Sequence, residues 1–445
     1  MPIRIVMMPS YHRGRAVTMK AILVTIGSLG DLHPFIAIGR ALAARGVDVM
    51  LAVPADHVDK VRAAGLAVEP ILPSFAAICA RLGIDTATAA RRVITQRRFV
   101  LEAVILPSLA DSTAALDALA GDADVIVGSL FAPAAGIVAE KRGLPLVAIN
   151  LQPMALFSAW DPPLTPDGAL MVDRPRGPLG RGWNRALLGT VRATVRARYG
   201  GAVASVRQAH GLAAGKLAPV FDPMPAQCAT LCCYSPLLAP VQPDAPPRCE
   251  AIGFPLYDRG DVALDPVLAA FLDRGPAPIV FTLGSFVVHA PGRFYDVAAA
   301  AARALGRRAV LLTGTADSPC VDGDLLRLGY APHSQLFGHA AAVVHHGGIG
   351  TTGQAMHAGA PQLVLPFFGD QFDNGARIAR LGIGRSLRPA AFQGVAADEA
   401  LRALLGDHTI AARAAAIATQ LRAERPTETA ADRIIAAASR RRPSP

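Results

Sequence analysis

The feature that most constrains this fold is an alternation of apolar runs with amphipathic stretches, which occurs in two separate blocks. In the first block the apolar run AILVTIG precedes PFIAIGRALAARG, VDVMLAVP and VDKVRAAG, and DVIVGSL, PAAGIVAEKRG and PLVAINL repeat the order near residue 130. Strands that alternate with helices form parallel sheets with helices on their faces. The first half of the chain is therefore predicted to be a doubly wound α/β domain.

The second block follows PLLAPVQPDAPPRCEAIGFP, a proline-rich segment without helical periodicity that is typical of a connector. PIVFTLGS, AVLLTG, AVVHHGG and QLVLPF are predicted strands of a second parallel sheet. A chain of 445 residues also exceeds what one hydrophobic core usually supports. We predict an N-terminal domain at 19–238, a linker at 239–258, a C-terminal domain at 259–420, and a final helix and tail at 421–445.

Composition excludes several classes of protein. Hydrophobic residues make up 52% of the chain and charged residues 18%, which excludes wholesale disorder. The longest apolar stretches are shorter than the roughly 20 residues of a membrane span. The first 18 residues lack the continuous apolar region of a secretion signal, and Met19 is an alternative start. Six cysteines without paired spacing favour a reducing, cytoplasmic location.

The charge is strongly positive, with a formal net value of +10. No recognisable nucleic-acid-binding module accompanies it, so we predict no nucleic-acid partner. The densest basic run surrounds Trp183 on a predicted helix and permits two interpretations, a solvated helix face or peripheral contact with the inner face of the membrane. Its arginines are Arg174, Arg176, Arg181, Arg185, Arg192, Arg196 and Arg198.

The passage VVHHGGIGTTG predicts an anion site. A strand ends at His345, His346, Gly347 and Gly348, and a helix begins near Thr351. Glycines let the backbone approach a phosphate, and the N–H groups and dipole of the helix start favour negative charge. A purely structural turn is the alternative. The histidines lack the carboxylate or thiolate companions of a metal site, so we predict no metal.

The longer passage 343–378 resembles the donor-binding signature of the family 1 nucleotide-sugar glycosyltransferases, the UDP-glycosyltransferase superfamily. This resemblance implies a GT-B fold, in which two Rossmann-like doubly wound domains face a cleft. It implies that the diphosphate contacts His346 and Thr351 and the backbone of Gly348, Ile349 and Gly350. By the same resemblance, Asp370 and Gln371 bind hydroxyls of the sugar.

Two further segments extend the resemblance. LGYAPHSQLFGH is similar to the segment that holds the nucleotide base, which implies stacking on Tyr330 and a backbone contact at Ala331. His333 stands where plant members usually have glutamine. FTLGSF places Gly284 and Ser285 where family members approach the phosphates from the other side.

The turn TIGSLGDLHPF holds the candidate base. The acceptor hydroxyl must lose its proton as it attacks the anomeric carbon. In plant relatives a histidine oriented by an aspartate removes it, and the aligned positions here hold Asp31 and Ser129. The resemblance therefore implies that Asp31 acts directly, with His33 as the second candidate and Gly30 beside the donor. Helix capping is the alternative role of Asp31.

The motifs are most similar to those of bacterial rhamnolipid-type rhamnosyltransferases and sterol-type glucosyltransferases. They imply an inverting transfer of rhamnose or glucose from a UDP or dTDP donor to a hydroxyl of a small apolar acceptor, without cofactor or metal. Phe131, Met154, Phe157 and Trp160 are candidate acceptor contacts, with core packing as the alternative. A nucleotide-sugar epimerase and a non-catalytic transferase partner are competing hypotheses. The oligomeric state is not predicted.

Overall fold

The computed structural model describes residues 19–96, 98–166, 170–246, 248–257, 263–315 and 318–440. The first 18 residues, which precede the alternative start Met19, and residues 441–445 of the predicted tail lie outside these ranges. The described residues form two seven-stranded sheets with helices on their faces. The predicted doubly wound α/β architecture is thereby confirmed.

The first sheet has the order β3-β2-β1-β4-β5-β6-β7, and all of its paired strands are parallel. Its strands are β1 (Lys20–Val24), β2 (Asp48–Pro54), β3 (Ala67–Leu72), β4 (Val125–Ser129), β5 (Leu146–Asn150), β6 (Gln227–Cys232) and β7 (Cys249–Ala251). The helices between them are α1 (Leu29–Ala43), α2 (Val58–Ala63), α3 (Phe75–Arg81), α4 (Thr86–Thr95), α5 (Leu109–Leu119), α6 (Pro133–Arg142) and α7 (Pro178–Ala209).

The second sheet has the order β10-β11-β9-β8-β12-β13-β14 and is parallel except for the β10–β11 hairpin at its edge. Its strands are β8 (Ile279–Thr282), β9 (Ala309–Leu312), β10 (Cys320–Asp322), β11 (Leu325–Leu328), β12 (Ala342–His345), β13 (Gln362–Val364) and β14 (Gly384–Ser386). The accompanying helices are α8 (Pro266–Asp273), α9 (Phe294–Ala304), α10 (His333–Leu336), α11 (Ile349–Ala358), α12 (Gln371–Leu381), α13 (Gly394–Leu405), α14 (His408–Leu421) and α15 (Pro426–Ser439).

The central strands have unbroken apolar sequences because they are buried on both faces. Every residue of β4, β5, β8, β9, β12 and β13 is buried, as expected where helices cover both faces of a parallel sheet. In each sheet the strand order reverses beside the first strand of the domain, between β1 and β4 and between β8 and β12. Ligands of such sheets bind outside the carboxyl ends of the strands at this reversal. The loops after these four strands are therefore where a site is expected.

The two domains are joined by more than a linker. Within the predicted linker, β7 pairs with β6 and forms the edge strand of the first sheet. Farther along, Phe254 packs so closely on α11 that a Cβ at Gly353 would lie 2.6 Å from its ring. After the second domain, α15 returns to pack on α1. One apolar cluster consequently runs through both domains.

Among the helices in the described part of the chain, none combines the length and the apolar character needed to cross a bilayer.

Candidate active site at the interdomain cleft

The turn between β12 and α11 depends on its glycines. Gly347 has a φ of +88°, and a Cβ there would lie 2.6 Å from Val364 Cγ1. His345 fixes the turn, since its Nδ1 accepts from Gly347 N (3.1 Å) and its Nε2 lies 2.9 Å from Gln362 Oε1. The side chain of His345 therefore has a local structural role.

Helix α11 begins at Ile349, two residues before the predicted start, and no side chain caps it. The N–H groups of Ile349, Gly350 and Thr351 lie in the first turn and have no intrahelical partner. They point out of the helix end, where the dipole contributes partial positive charge. A glycine turn that leads into such a helix start is an arrangement that favours anions, and the anion site itself stays a prediction.

His346 lies between two glycines of different loops. A Cβ on Gly284, which follows β8, would lie 2.4 Å from its Cε1, and a Cβ on Gly348 would lie 2.3 Å from its Nε2. Burial lowers the pKa of His346 to about 3, and the charges of His345 and His333 add to this effect. The imidazole is therefore neutral at physiological pH.

Buried polar atoms without partners concentrate at this junction. Six buried side-chain atoms of the described residues lack a hydrogen-bond partner, and four of them belong to β12, α11, α12 and β13 or to the turns beside them. Those four are His346 Nδ1, Thr352 Oγ1, Gln362 Nε2 and Asn374 Oδ1. Because buried polar groups are normally satisfied, this clustering is the pattern expected of a site that binds a polar ligand or water.

Helix α12 brings the predicted sugar contacts to the same junction. Asn374 Nδ2 donates to Gly347 O (2.9 Å) and to Asp370 Oδ2 (2.8 Å), which ties the helix start to the glycine turn. Gln371 Oε1 accepts from the backbone N–H groups of Phe367 (2.8 Å) and Phe368 (3.2 Å). Its amide nitrogen is thus the group left for a ligand. Asn374 was not among the residues predicted from the sequence, although its spacing four residues after Asp370 places both on one helix face.

Across the cleft, Asp31 lies in the first turn of α1 and forms a capping box with Ser28. Asp31 Oδ2 accepts from Ser28 N (2.8 Å) and from Ser28 Oγ (3.2 Å). The carboxylate occupies space left free by Gly27, where a Cβ would lie 2.3 Å from Oδ2. Asp31 Oδ1 has no hydrogen-bond donor among the described residues. The capping role is confirmed, and it uses only one of the two oxygens.

The two helix starts face each other. A Cβ on Gly350 would lie 3.7 Å from the Cα of Gly30, so α1 and α11 meet through glycines. Burial raises the pKa of Asp31 to about 6. Burial also raises the pKa of Asp370 to about 7, with the Asp31 charge as the next cause. The carboxylates of both domains therefore lie close enough to interact across the cleft.

The predicted base-binding residues follow β11. Tyr330 is 65% exposed, whereas Ala331 is buried. His333 begins α10 and stacks on Phe337 with ring centroids 4.4 Å apart. Ser285, after Gly284, is exposed. Of these residues, His333 lies close enough to His346 for its charge to lower the pKa of that imidazole.

The predicted acceptor contacts follow β4 and β5. Phe131 packs partly on the core of the first domain. Phe157 stacks on Phe221 with centroids 4.1 Å apart, and the Arg181 guanidinium lies 4.5 Å from the Trp160 ring. The short helical turn containing Met154 contacts α12 of the other domain. This segment therefore borders the cleft, although stacking and core contacts already engage several of its rings.

His33 is oriented differently from Asp31. It lies two residues farther along α1, and its ring packs edge-on against Tyr257 with centroids 5.6 Å apart. Ser129, the position aligned with the orienting aspartate of plant enzymes, is buried, and its Oγ accepts from Phe131 N. No three His, Cys, Asp or Glu side chains within the described ranges lie close enough together to hold a metal ion.

Comparison with known proteins identifies the family. Residues 21–156 match the glycosyltransferase family 28 N-terminal domain, and residues 316–436 match the C-terminal domain of erythromycin biosynthesis protein CIII-like proteins. The chain is 34% identical to vancomycin aglycone glucosyltransferase of Amycolatopsis orientalis, over 82% of this chain and 85% of the relative. It is 31% identical to O-mycaminosyltylonolide 6-deoxyallosyltransferase of Streptomyces fradiae, over 93% and 96%. The chain belongs to this glycosyltransferase family and is an enzyme.

Solved structures agree on the fold. The glycotransferase of kitacinnamycin aligns with a TM-score of 0.69 at 20% identity, covering 94% of this chain and 99% of the other. Glycosyltransferase VinC, solved in complex with dTDP, aligns with a TM-score of 0.66 at 19% identity, covering 95% and 100%. The predicted GT-B fold is thereby confirmed.

Proposed function

We propose that the enzyme transfers a sugar with inversion from a nucleoside diphosphate donor to a hydroxyl of an apolar acceptor, with Asp31 as general base. The observation that carries this proposal is the position of the Asp31 carboxylate. It lies where the starts of α1 and α11 meet, with Oδ2 held by Ser28 and Oδ1 without a donor among the described residues. A fixed carboxylate with one unoccupied oxygen can accept a proton from an acceptor hydroxyl.

The pKa of Asp31 suits this role. Burial raises it to about 6, so the carboxylate is ionised at neutral pH and is a stronger base than an exposed aspartate. A base is most effective when its pKa lies near the working pH. The rate should therefore increase with pH through about 6 and level off above it.

The diphosphate is proposed to lie on the start of α11. Its N–H donors and dipole would stabilise the charge that develops on the leaving group, and the neutral His346 and Thr351 would add hydrogen bonds. Asp370 and the Gln371 amide nitrogen would bind sugar hydroxyls, and Tyr330 would stack on the base. Because the hydrogen-bond donors and the helix dipole can stabilise the negative charge of the diphosphate, we propose that transfer needs no metal.

The donor is proposed to carry uridine or thymidine diphosphate with rhamnose or glucose. The dTDP complex of VinC supports thymidine, and the glucosyltransferase named for vancomycin aglycone supports glucose. The apolar side chains after β5 favour an apolar alcohol as acceptor. The names of the relatives point in the same direction, towards a natural-product or sterol hydroxyl.

Replacement of Asp31 by Asn tests the base. The amide oxygen of the new side chain can still accept a hydrogen bond from Ser28 N, so the cap should persist while proton removal is lost. We expect the transfer rate to fall by about 10²–10⁴-fold with an unchanged dissociation constant for the nucleotide. Turnover equal to that of the original enzyme would refute the role of Asp31.

Thermal stabilisation by UDP, dTDP, GDP and ADP, with and without EDTA, tests the donor site. We expect stabilisation by UDP or dTDP that survives chelation, worth about 2.7 kcal/mol when the ligand is at 100 times its dissociation constant. His346→Ala should reduce it, whereas His339→Ala, at an exposed position, should not. Stabilisation that disappears with EDTA would contradict the metal-free proposal.

A further inference from the structure

An apolar surface lies at the start of α7. Four large side chains form it, with exposed fractions of 89% for Leu179, 72% for Leu170, 51% for Trp183 and 43% for Val172. They are neighbours, since Trp183 Nε1 donates to Leu170 O (2.8 Å) and a Cβ on Gly180 would lie 3.5 Å from Val172 Cγ1. Exposed apolar residues are common singly, but a contiguous group marks an interaction surface. We name these four residues the α7 surface.

The arginines of this region divide into two groups. Arg181 covers Trp160, Arg192 and Arg196 pair with Asp222, and Arg198 pairs with Glu102. By contrast, Arg174, Arg176 and Arg185 have no carboxylate partner in the part of the chain that the structure describes. Asp173, between Val172 and Arg174, is already paired with Arg380 (2.6 Å). Uncompensated positive charge therefore borders the α7 surface.

The α7 surface is joined directly to the segment that holds the predicted acceptor contacts. Asn184 is fully buried, and its Nδ2 donates to Ala159 O (3.1 Å) and to Val172 O (2.9 Å). Arg181 of the same helix turn lies over Trp160. A partner on the α7 surface would therefore lie beside the segment that holds the predicted acceptor contacts.

We propose that the α7 surface docks the enzyme on an anionic lipid bilayer. Leu179 and Trp183 would enter the interface while Arg174 and Arg176 pair with lipid phosphates, the composition that membrane interfaces favour. Docking would hold the acceptor segment at the bilayer, where apolar alcohols dissolve. Membrane binding goes beyond the proposed transfer chemistry and does not depend on it.

Co-sedimentation of the full chain with vesicles tests the proposal. We expect binding to vesicles that contain phosphatidylglycerol, weak binding to pure phosphatidylcholine, and release at high salt because the charges are screened. Leu179→Asp should reduce partitioning at least tenfold. The matched control is Val395→Asp, which also changes a 71% exposed residue near a helix start but lies in the other domain.

The arginines are tested by Arg174→Ala with Arg176→Ala, which should lower affinity for the anionic vesicles by about fivefold for each residue removed. All variants should retain the thermal midpoint and the nucleotide response of the original enzyme. Equal binding to both vesicle types, or loss of binding in Val395→Asp, would overturn the proposal. So would a dimer in solution that Leu179→Asp dissociates, since a second copy would then cover the α7 surface.

Discussion

At the scale of single residues, the cleft is built by close approaches that only glycine permits. Gly284 has a φ of +67° and leaves the space that the His346 ring fills. Gly27 does the same for the carboxylate of Asp31. In both cases a glycine, which has no Cβ, leaves room for a nearby side chain. The backbone conformation of the turn and the position of that side chain therefore depend on each other.

Comparison of Gly284→Ala with a matched control should separate the displacement of His346 from the strain of a left-handed backbone. The new Cβ would displace His346, and we expect nucleotide affinity to fall more than tenfold, measured by titration calorimetry. The left-handed backbone would also cost about 1 kcal/mol of unfolding free energy. Gly306→Ala is the matched control, because Gly306 has a φ of +59° and no atom within 4 Å of its Cβ position. An equal loss of affinity in both variants would mean that His346 does not contribute to binding.

At the scale of helices and strands, a buried ion network joins the two domains away from the cleft turns. Arg377 of α12 is nearly fully buried and pairs with Asp373 (2.8 Å) and with Asp161 of the first domain (2.5 Å). Asp373 also accepts from Leu164 N (3.0 Å). The segment after β5 is thereby fixed to the helix whose start carries Asp370 and Gln371.

Removal of Arg377 should be strongly destabilising. Arg377→Met leaves the fully buried Asp373 without its cation and Asp161 with only the more distant Arg380 (3.5 Å), and we expect a loss of about 3–5 kcal/mol in the free energy of unfolding by urea. Addition of Asp373→Leu should recover part of this loss, since it removes the uncompensated charge. As a control, Arg385→Met breaks an exposed pair with Asp407 and should cost less than about 1 kcal/mol. Similar losses in Arg377→Met and Arg385→Met would show that the network contributes little.

The sequence predicted the elements whose signals are local. The strands that end at Thr282 and His345 are apolar runs, and each is followed within two residues by a glycine of the cleft turns, Gly284 and Gly347. The pairing of Asp161 with Arg377 joins positions 216 residues apart, so no local pattern reports it. Strand β7 lies in a proline-rich segment and is only three residues long, which conceals it from a periodicity analysis.

At the scale of the whole molecule, the cleft brings like charges together. Asp31 comes from the first domain and Asp370 from the second, and burial raises the pKa of each, with charge repulsion from Asp31 adding to that of Asp370. Folding therefore favours their protonated forms. Close contact between the domains is stabilising through the shared apolar cluster and destabilising through these two carboxylates when both are ionised.

The direction in which the free energy of unfolding changes with pH follows from the difference between the pKa values of the folded and unfolded states. A carboxyl whose pKa is higher in the folded than in the unfolded state contributes most stability at low pH and loses it as pH rises through the folded value. For Asp370, with a pKa of about 7, the loss should occur between about pH 4 and pH 7 and amount to at most about 4 kcal/mol. Asp370→Asn removes this contribution, so the variant should gain stability relative to the original enzyme as pH rises.

Urea unfolding at pH 5 and pH 8 measures this difference. The advantage of Asp370→Asn should be larger at pH 8, and Glu399→Gln, at an exposed position of α13, should show no such change. A nucleotide sugar that donates hydroxyls to the Asp370 carboxylate would stabilise its ionised form, so at pH 8 it should recover stability beyond that given by the nucleoside diphosphate alone, and this extra recovery should be absent in Asp370→Asn. The same recovery in Asp370→Asn would mean that the sugar is held by other groups, with Gln371 as the next residue to replace.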